Sequence, residues 1–194
     1  MLLLLFAPPA LLAPEPAMPP WWNQWARMAA FSSSFVQEGE SAAFGKLTES
    51  GTILMASGGR LRVEYKKGIL LVSDGQQLWQ YDPSTRTAQN HNLESVSEEW
   101  PMLRLLTDPA ALNQVFHVNP QSDGKVKLIP KKAGRADMPE VILEGKGGFL
   151  HRATWKDGTG ATQVLTLTDT KTRSDPGKKP FTFNLPPGAR AIQL

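Results

Sequence analysis

The chain of 194 residues has no cysteine. It can therefore form no disulfide, offers no thiol nucleophile and has no cysteine to carry a lipid anchor. Histidine is scarce. His91, His117 and His151 stand apart, with no second ligand at H-x-x-x-H or H-E-x-x-H spacing, which argues against a zinc site. No positive charge accumulates either. The net charge is only +3, and Arg60, Arg62, Lys66, Lys67, Lys131, Lys132, Lys178 and Lys179 are spread as solvated strand faces would be, too thinly for a nucleic-acid footprint. Catalytic patterns are missing as well. Ser32 to Ser34 lack the glycine-flanked nucleophile elbow, and Gly58-Gly59 and Gly147-Gly148 precede no helix signal that would make a phosphate cradle. Glu98-Glu99 fit a helix first turn and Asp74 a hairpin loop better than acid-base roles. Together these absences point away from an enzyme, a metal site or any cofactor.

Residues 60–89 write three strands and their turns. Leu61, Val63 and Tyr65 alternate with Arg62, Glu64 and Lys66, the period of two of a strand with one apolar face. Ile69 to Ser73 is an apolar run, Asp74-Gly75 is a hairpin loop, and Gln77 to Tyr81 returns with Trp79 and Tyr81 on one face. Asp82-Pro83-Ser84 turns the chain again. Such a meander needs an apolar partner for its inner face. Parity makes Leu61, Val63, Tyr65, Trp79 and Tyr81 the inward set, with Phe35, Ile53, Leu71, Leu128 and Leu167 joining them from neighbouring strands.

Upstream, residues 1–17 (MLLLLFAPPALLAPEPA) hold an apolar run too short to span a bilayer, then small residues and prolines. This reads as a secretory signal without its basic flank, cleaved near Ala13 or Ala17, ahead of one domain over 18–194. Trp22, Trp25, Ala26, Ala29 and Ala30 fall near helical spacing and predict a first helix reaching about Ser33. Strands are expected over 35–44, 51–56, 60–66, 69–73, 77–81 and 85–90. Then the meander breaks. Trp100, Met102, Leu103 and Leu106 mark a short helix over 100–106, and Thr107 or Asp108 with Pro109 opens another whose stripe includes Phe116. Strands return over 125–130, 140–144, 149–155 and 162–170, with Phe181 and Phe183 closing the sheet.

The fold class that follows is α+β and mainly β, with the 16 glycines and 16 prolines favouring turns over long helices. A strongly twisted antiparallel sheet of about eleven strands curls rather than staying flat. An incomplete, unclosed β-barrel with short helices as a lid satisfies the pattern. Its interior is either a filled core or a cavity for an apolar ligand, and pattern alone leaves both open. The large aromatic and flexible groups on the lid, Trp22, Trp25, Trp100, Met102, Leu103, Leu106 and Phe116, suit a ligand of variable shape.

The chain also resembles the LolA family of periplasmic outer-membrane lipoprotein carriers. The family's F-x-A/S-F-x-Q start is matched by Phe31-Ser32-Ser33-Ser34-Phe35-Val36-Gln37, and its G-x-L/I strand by Gly51-Thr52-Ile53. Its V-S-D-G-x-x-L-W-x-Y stretch is matched from Val72 to Tyr81, and its F-x-F-x-x-P-x-G close from Phe181 to Gly188. The resemblance implies a monomeric periplasmic protein whose hydrophobic cavity and lid shield lipoprotein acyl chains. It would take them from an inner-membrane release complex to an outer-membrane receptor or the membrane itself. The task is costly without such a carrier: an acyl chain of about sixteen carbons exposed to water costs on the order of 12 kcal/mol. A lid that competes with the ligand would keep binding reversible. Where the family carries an Arg-Pro pair tied to lid control, this chain has Ser57-Gly58, and the role is not carried over to Arg60 or Arg62. The receptor sharing this fold is anchored through an N-terminal cysteine, so the carrier fits better. The alternative is a LolA-like lipid-sensing or lipid-binding protein that does not transport lipoproteins.

Overall fold

In the computed structural model the described residues are 16–41, 45–95, 103, 112–131 and 139–193. The signal expected over 1–17 falls almost wholly outside them, as do Trp100, Met102, Leu106 and most of the helix expected over 100–106.

The chain enters through a short helix α1 (Pro20–Ala26), whose start is set by Pro20 in the first turn, where a missing N–H costs nothing. Six strands follow as a meander: β1 (Ala30–Ser41), β2 (Gly45–Ala56), β3 (Arg60–Tyr65), β4 (Leu70–Asp74), β5 (Gln77–Asp82) and β6 (Thr87–Asn92). After a helical turn α2 (Leu112–Val115) come β7 (Phe116–Pro120), β8 (Val126–Pro130), β9 (Val141–Lys146), β10 (Phe149–Lys156) and β11 (Thr162–Arg173). A 3-10 turn at Lys179–Phe181 and β12 (Arg190–Gln193) complete the described chain.

The twelve strands of the described residues belong to one sheet, ordered β12-β6-β5-β4-β3-β2-β1-β11-β10-β9-β8-β7. The expected unclosed, mainly β architecture is what forms. Its two halves meet where β1 pairs β11 antiparallel from Ala30↔Arg173 to Glu40↔Thr162, with a bulge at Ser32/Ser34. Neighbouring strands pair antiparallel except β12, which lies parallel to β6. Local turn chemistry holds the meander: Asp74 Oδ1 accepts from the Gln76 and Gln77 amides (2.8 and 2.9 Å), and Gly75 takes φ 103°.

Four details depart from the sequence reading. Helix α1 stops at Ala26 rather than near Ser33, because Phe31, Ser33 and Phe35 are claimed by a central strand paired on both sides. Phe116 begins a strand instead of extending a helical stripe. Phe181 and Phe183 make no strand: Pro180, Pro186 and Pro187 remove the amides a ladder needs, and the segment crosses the sheet as a strap. The four residues of β12 were too short to show alternation, and with β7 they bring the count to twelve rather than about eleven.

The two faces differ in what covers them. One carries the main apolar cluster, which takes residues from α1, β1 to β3, β5 and β7 to β11. We call it the inner face. On the outer face the strap buries Phe181 against Ala30, Ala56 and Leu54. Arg60 fastens it: its guanidinium donates to both Asp175 carboxylate oxygens (2.9 Å each), to the Ser57 carbonyl (3.0 Å) and to the Gly177 carbonyl (3.3 Å), and lies 5.5 Å from the Phe181 ring centroid. Arg62 donates to the Pro180 carbonyl at 3.3 Å.

Candidate functional site: the inner apolar face

Helix α1 lies against the inner side of the β9–β10 hairpin. Contact is possible because Gly145 has no side chain there: a Cβ would stand 2.0 Å from Trp21 Cγ. Trp21 Nε1 donates to the Gly124 carbonyl at 3.0 Å, tying the helix to the β7–β8 turn as well. Gly148 leaves similar room for the Gln24 side chain. The three indoles pack on one another, Trp21–Trp22 at 5.9 Å, Trp22–Trp25 at 5.6 Å and Trp21–Trp25 at 6.4 Å between ring centroids. Trp25 is 1% exposed; Trp22 is half-buried at the margin.

Beneath and beside the helix, strand parity delivers one apolar surface. Phe35, Ile53, Leu61, Val63, Leu103, Phe116, Leu128 and Leu167 are all buried in this cluster, and Tyr65 and Leu71 pack partly buried against it. Phe35 and Tyr65 meet edge to face at 5.2 Å. Gly51, between them, permits this, since a Cβ would stand 2.8 Å from Phe35 Cε1 and 2.0 Å from the Glu64 carbonyl oxygen. Burial, with the nearby Glu49 carboxylate adding to it, pushes the Tyr65 phenol above its ordinary value, so it stays neutral.

Trp79 and Tyr81 correct the predicted inward set. In the register Arg62↔Val72↔Trp79 and Leu70↔Tyr81 they point to the outer face, where Phe183 stacks on Trp79 (4.9 Å, 20°) and sits 6.3 Å from Tyr81. Leu78, paired to Ser73 and through it aligned with Leu61 and Met55, is the inward residue of β5. Phe31, Met55, Leu112, Val126, Val141, Leu143, Leu150 and Leu165 also belong to the cluster and were not singled out beforehand. Alternation in 141–143 and 126–128 carried that signal; Phe31 was masked by its assignment to a helix. Arg60 and Arg62, the two arginines nearest Ser57-Gly58, both serve the strap on the outer face.

The inner face is almost without polar chemistry. Among the described residues the buried polar ones are Ser33 and Ser73, and both are satisfied within the sheet. Ser33 Oγ donates to the Thr168 carbonyl (2.8 Å) with Thr170 Oγ1 at 2.9 Å, and Ser73 Oγ accepts from the Gly75 amide (3.1 Å). No group of three or more His, Asp or Glu among the described residues could hold a metal ion. The outer face is the opposite in kind. A groove of about 630 Å³ there is lined by Ser32, Thr52, Arg62, Glu64, Lys171 and Arg173 together with Leu54 and Pro176, so charged groups border its apolar floor. What the inner face can do is exclude water from apolar matter, its own or a ligand's.

Residues 26–184 match the family described as outer membrane lipoprotein carrier protein LolA. The outer-membrane lipoprotein carrier protein of Pseudomonas paraeruginosa is 27% identical over 168 residues, covering 79% of this chain and 80% of that protein. That of Alkalilimnicola ehrlichii is 29% identical over 157 residues, covering 75% and 72%. In fold, the chain is similar to a LolA superfamily protein from Nitrosomonas europaea, with a TM-score of 0.51, 14% identity, and coverage of 86% of this chain and 99% of that one. An uncharacterized conserved protein from Thermus thermophilus gives 0.53, 14%, 90% and 97%. A family match over most of the chain, joined to an unclosed sheet with one apolar face, places it among binding proteins rather than enzymes: the chain belongs to the LolA family of lipoprotein carriers.

Proposed function

We propose that this protein works in the periplasm as a carrier that shelters the acyl chains of lipoproteins against its inner face and moves them from the inner to the outer membrane. The observation that carries this reading is the inner face itself, an apolar cluster that spans both halves of an open sheet, with a short helix packed on it at the β9–β10 hairpin by side chains alone. Trp21 on Gly145, its hydrogen bond to Gly124, Gln24 at Gly148 and the buried Trp25 ring fasten α1, and no charged residue stands in its first or last turn to add an ion pair. A helix so placed can yield its site to a ligand and reclaim it afterwards. At roughly 0.8 kcal/mol per methylene, even partial shelter of one acyl chain offsets several kcal/mol of exposure. Closure of the lid returns part of that on release. The cargo would be received from an inner-membrane release complex and surrendered to an outer-membrane receptor or to the membrane.

The test is an extraction assay. Inner-membrane vesicles bearing a labelled triacylated lipoprotein and the release machinery are incubated with the protein, and soluble label is sized. A one-to-one soluble complex that then yields its label to outer membranes supports the proposal. Label that stays in the membrane while a known carrier extracts it refutes transport, and a soluble complex that never discharges favours the lipid-binding alternative.

A further inference from the structure

Helix α1 carries two buried indoles whose N–H groups are treated differently by the fold. Trp21 Nε1 has the Gly124 carbonyl at 3.0 Å. Trp25 Nε1 is buried and has no hydrogen-bond partner among the described residues, although its side chain is 99% enclosed within the inner cluster. Leaving a buried donor unmade is costly, about 1–3 kcal/mol, and native folds rarely keep such a group without a use. Water is a poor answer at this place. A buried water needs two to four polar partners; Ser33 and Ser73 are already spent within the sheet, and Asn90 Oδ1, the other buried atom without a partner among the described residues, lies beside Trp79 on the outer face. An acceptor that arrives with an apolar body and asks for a single hydrogen bond fits better. The carbonyl oxygen of an ester or amide at the head of an acyl chain is such an acceptor.

We infer that Trp25 Nε1 is a specificity-determining donor that accepts ligands by their acyl carbonyl, distinguishing an acyl chain from a plain hydrocarbon of the same length. The inference rests on the acyl-carrier reading above and adds a chemical selection to it. Apolar burial holds the chain at any ester, amide or ether linkage alike; the indole N–H rewards only the linkages that bear a carbonyl. Trp22, Tyr65 and Trp155 also bring donors to this cluster, but each is only partly buried and open to exchange its bond with water, so the discrimination should reside chiefly in the fully buried Trp25 indole.

The experiment uses the full chain and two lysophospholipids of equal chain length, one ester-linked and one ether-linked, each below its micelle concentration. Displacement of a fluorescent fatty-acyl probe reads their affinities. The wild-type chain should bind the ester about five- to tenfold more tightly, the worth of one buried hydrogen bond. Trp25→Phe should bind ester and ether alike; the smaller ring leaves a cavity whose cost is partly offset by removal of the unmade donor. Trp21→Phe should keep the preference despite losing stability. In the wild-type protein the Trp25 indole N–H resonance should move downfield with the ester and not with the ether, a reading independent of any variant. Equal affinities, or an ester preference that survives in Trp25→Phe, overturn the role of Trp25 while leaving the acyl-carrier reading intact. Failure of both lipids to bind overturns the acyl reading and the inference with it.

Discussion

Replacing Gly145 by alanine should dislodge helix α1, and the size of the effect can be worked from the contact. The new Cβ would stand 2.0 Å from Trp21 Cγ, 2.1 Å from Cδ2 and 2.4 Å from Cδ1, where carbon atoms ordinarily sit about 3.5–4.0 Å apart. The strand is the stiffer partner, since Gly145 pairs with Leu150 in the β9–β10 ladder, next to a bulge before Arg152. The indole must therefore retreat by roughly 1.5 Å. Complete exposure of a tryptophan of about 150–250 Å² would cost ~4–6 kcal/mol. Overpacking relieved by a shift costs about 1–3 kcal/mol, and losing the hydrogen bond to Gly124 about 1 kcal/mol more. Stiffening of the unfolded chain by alanine offsets about 0.4–1 kcal/mol. The expected loss is then about 1–3.5 kcal/mol, read by denaturant unfolding with tryptophan emission as the probe. Gly158→Ala is the control: nothing lies within 4 Å of its Cβ, and the change should stay within about 1 kcal/mol of zero. If α1 is the lid, Gly145→Ala should also bind a fatty-acyl probe more tightly, because less closure opposes the ligand. A loss below about 1 kcal/mol with unchanged emission would refute the docking geometry, since no indole could stand over that Cβ unmoved.

Two further predictions separate the faces and test the strap. Leu78→Ala, which deletes a buried inner-face side chain, should cost about 2–5 kcal/mol and change the affinity for an acyl probe, whereas Trp79→Phe should leave that affinity within about twofold. A large loss of probe affinity in Trp79→Phe would put the faces the wrong way round. The Asp175 carboxyl is held below its ordinary value of 3.8 by the Arg60 guanidinium first and the Gly177 amide second. A depressed pKa means the contact stabilises the strap above 3.8 and is lost as pH falls from there through the folded value. Hydrogen-exchange protection over 174–181, taken relative to the intrinsic rate at each pH, should fall in that acid window and, in Arg60→Gln, already at neutral pH; protection indifferent to both would show that the ion pair does not hold the strap.

Much of the sheet was legible because its information is local. Alternation in Leu61-Arg62-Val63-Glu64-Tyr65 and the turn residues Asp74 and Gly75 act within a few positions, and β3 to β5 formed within a residue or so of expectation. Helix α1 was legible as a helix but not in its length. The spacing of Trp22, Trp25 and Ala29 continues past Ala26, yet Phe31 and Phe35 gain more from ladders with β2 and β11 on both sides than a helix could offer them. The placement of Trp21, missed in the sequence, depends on Gly145 and Gly124, more than a hundred positions away in the chain.

The sequence by itself determined that the chain folds as a turn-rich antiparallel sheet with helices at its rim, that its chemistry is apolar rather than catalytic, and which residues of each strand share a face. Tertiary structure decided which face is which. In β5 both sets are apolar enough to be covered, Leu78 on one side and Trp79 with Tyr81 on the other, so alternation names two faces without ranking them. The ranking came from what arrives from elsewhere: α1 and the second half of the sheet on the Leu78 side, the strap with Phe183 on the Trp79 side. The same holds for the orphan indole of Trp25. A strand period is set by the geometry of its own backbone, but whether a donor finds an acceptor depends on every segment that packs around it.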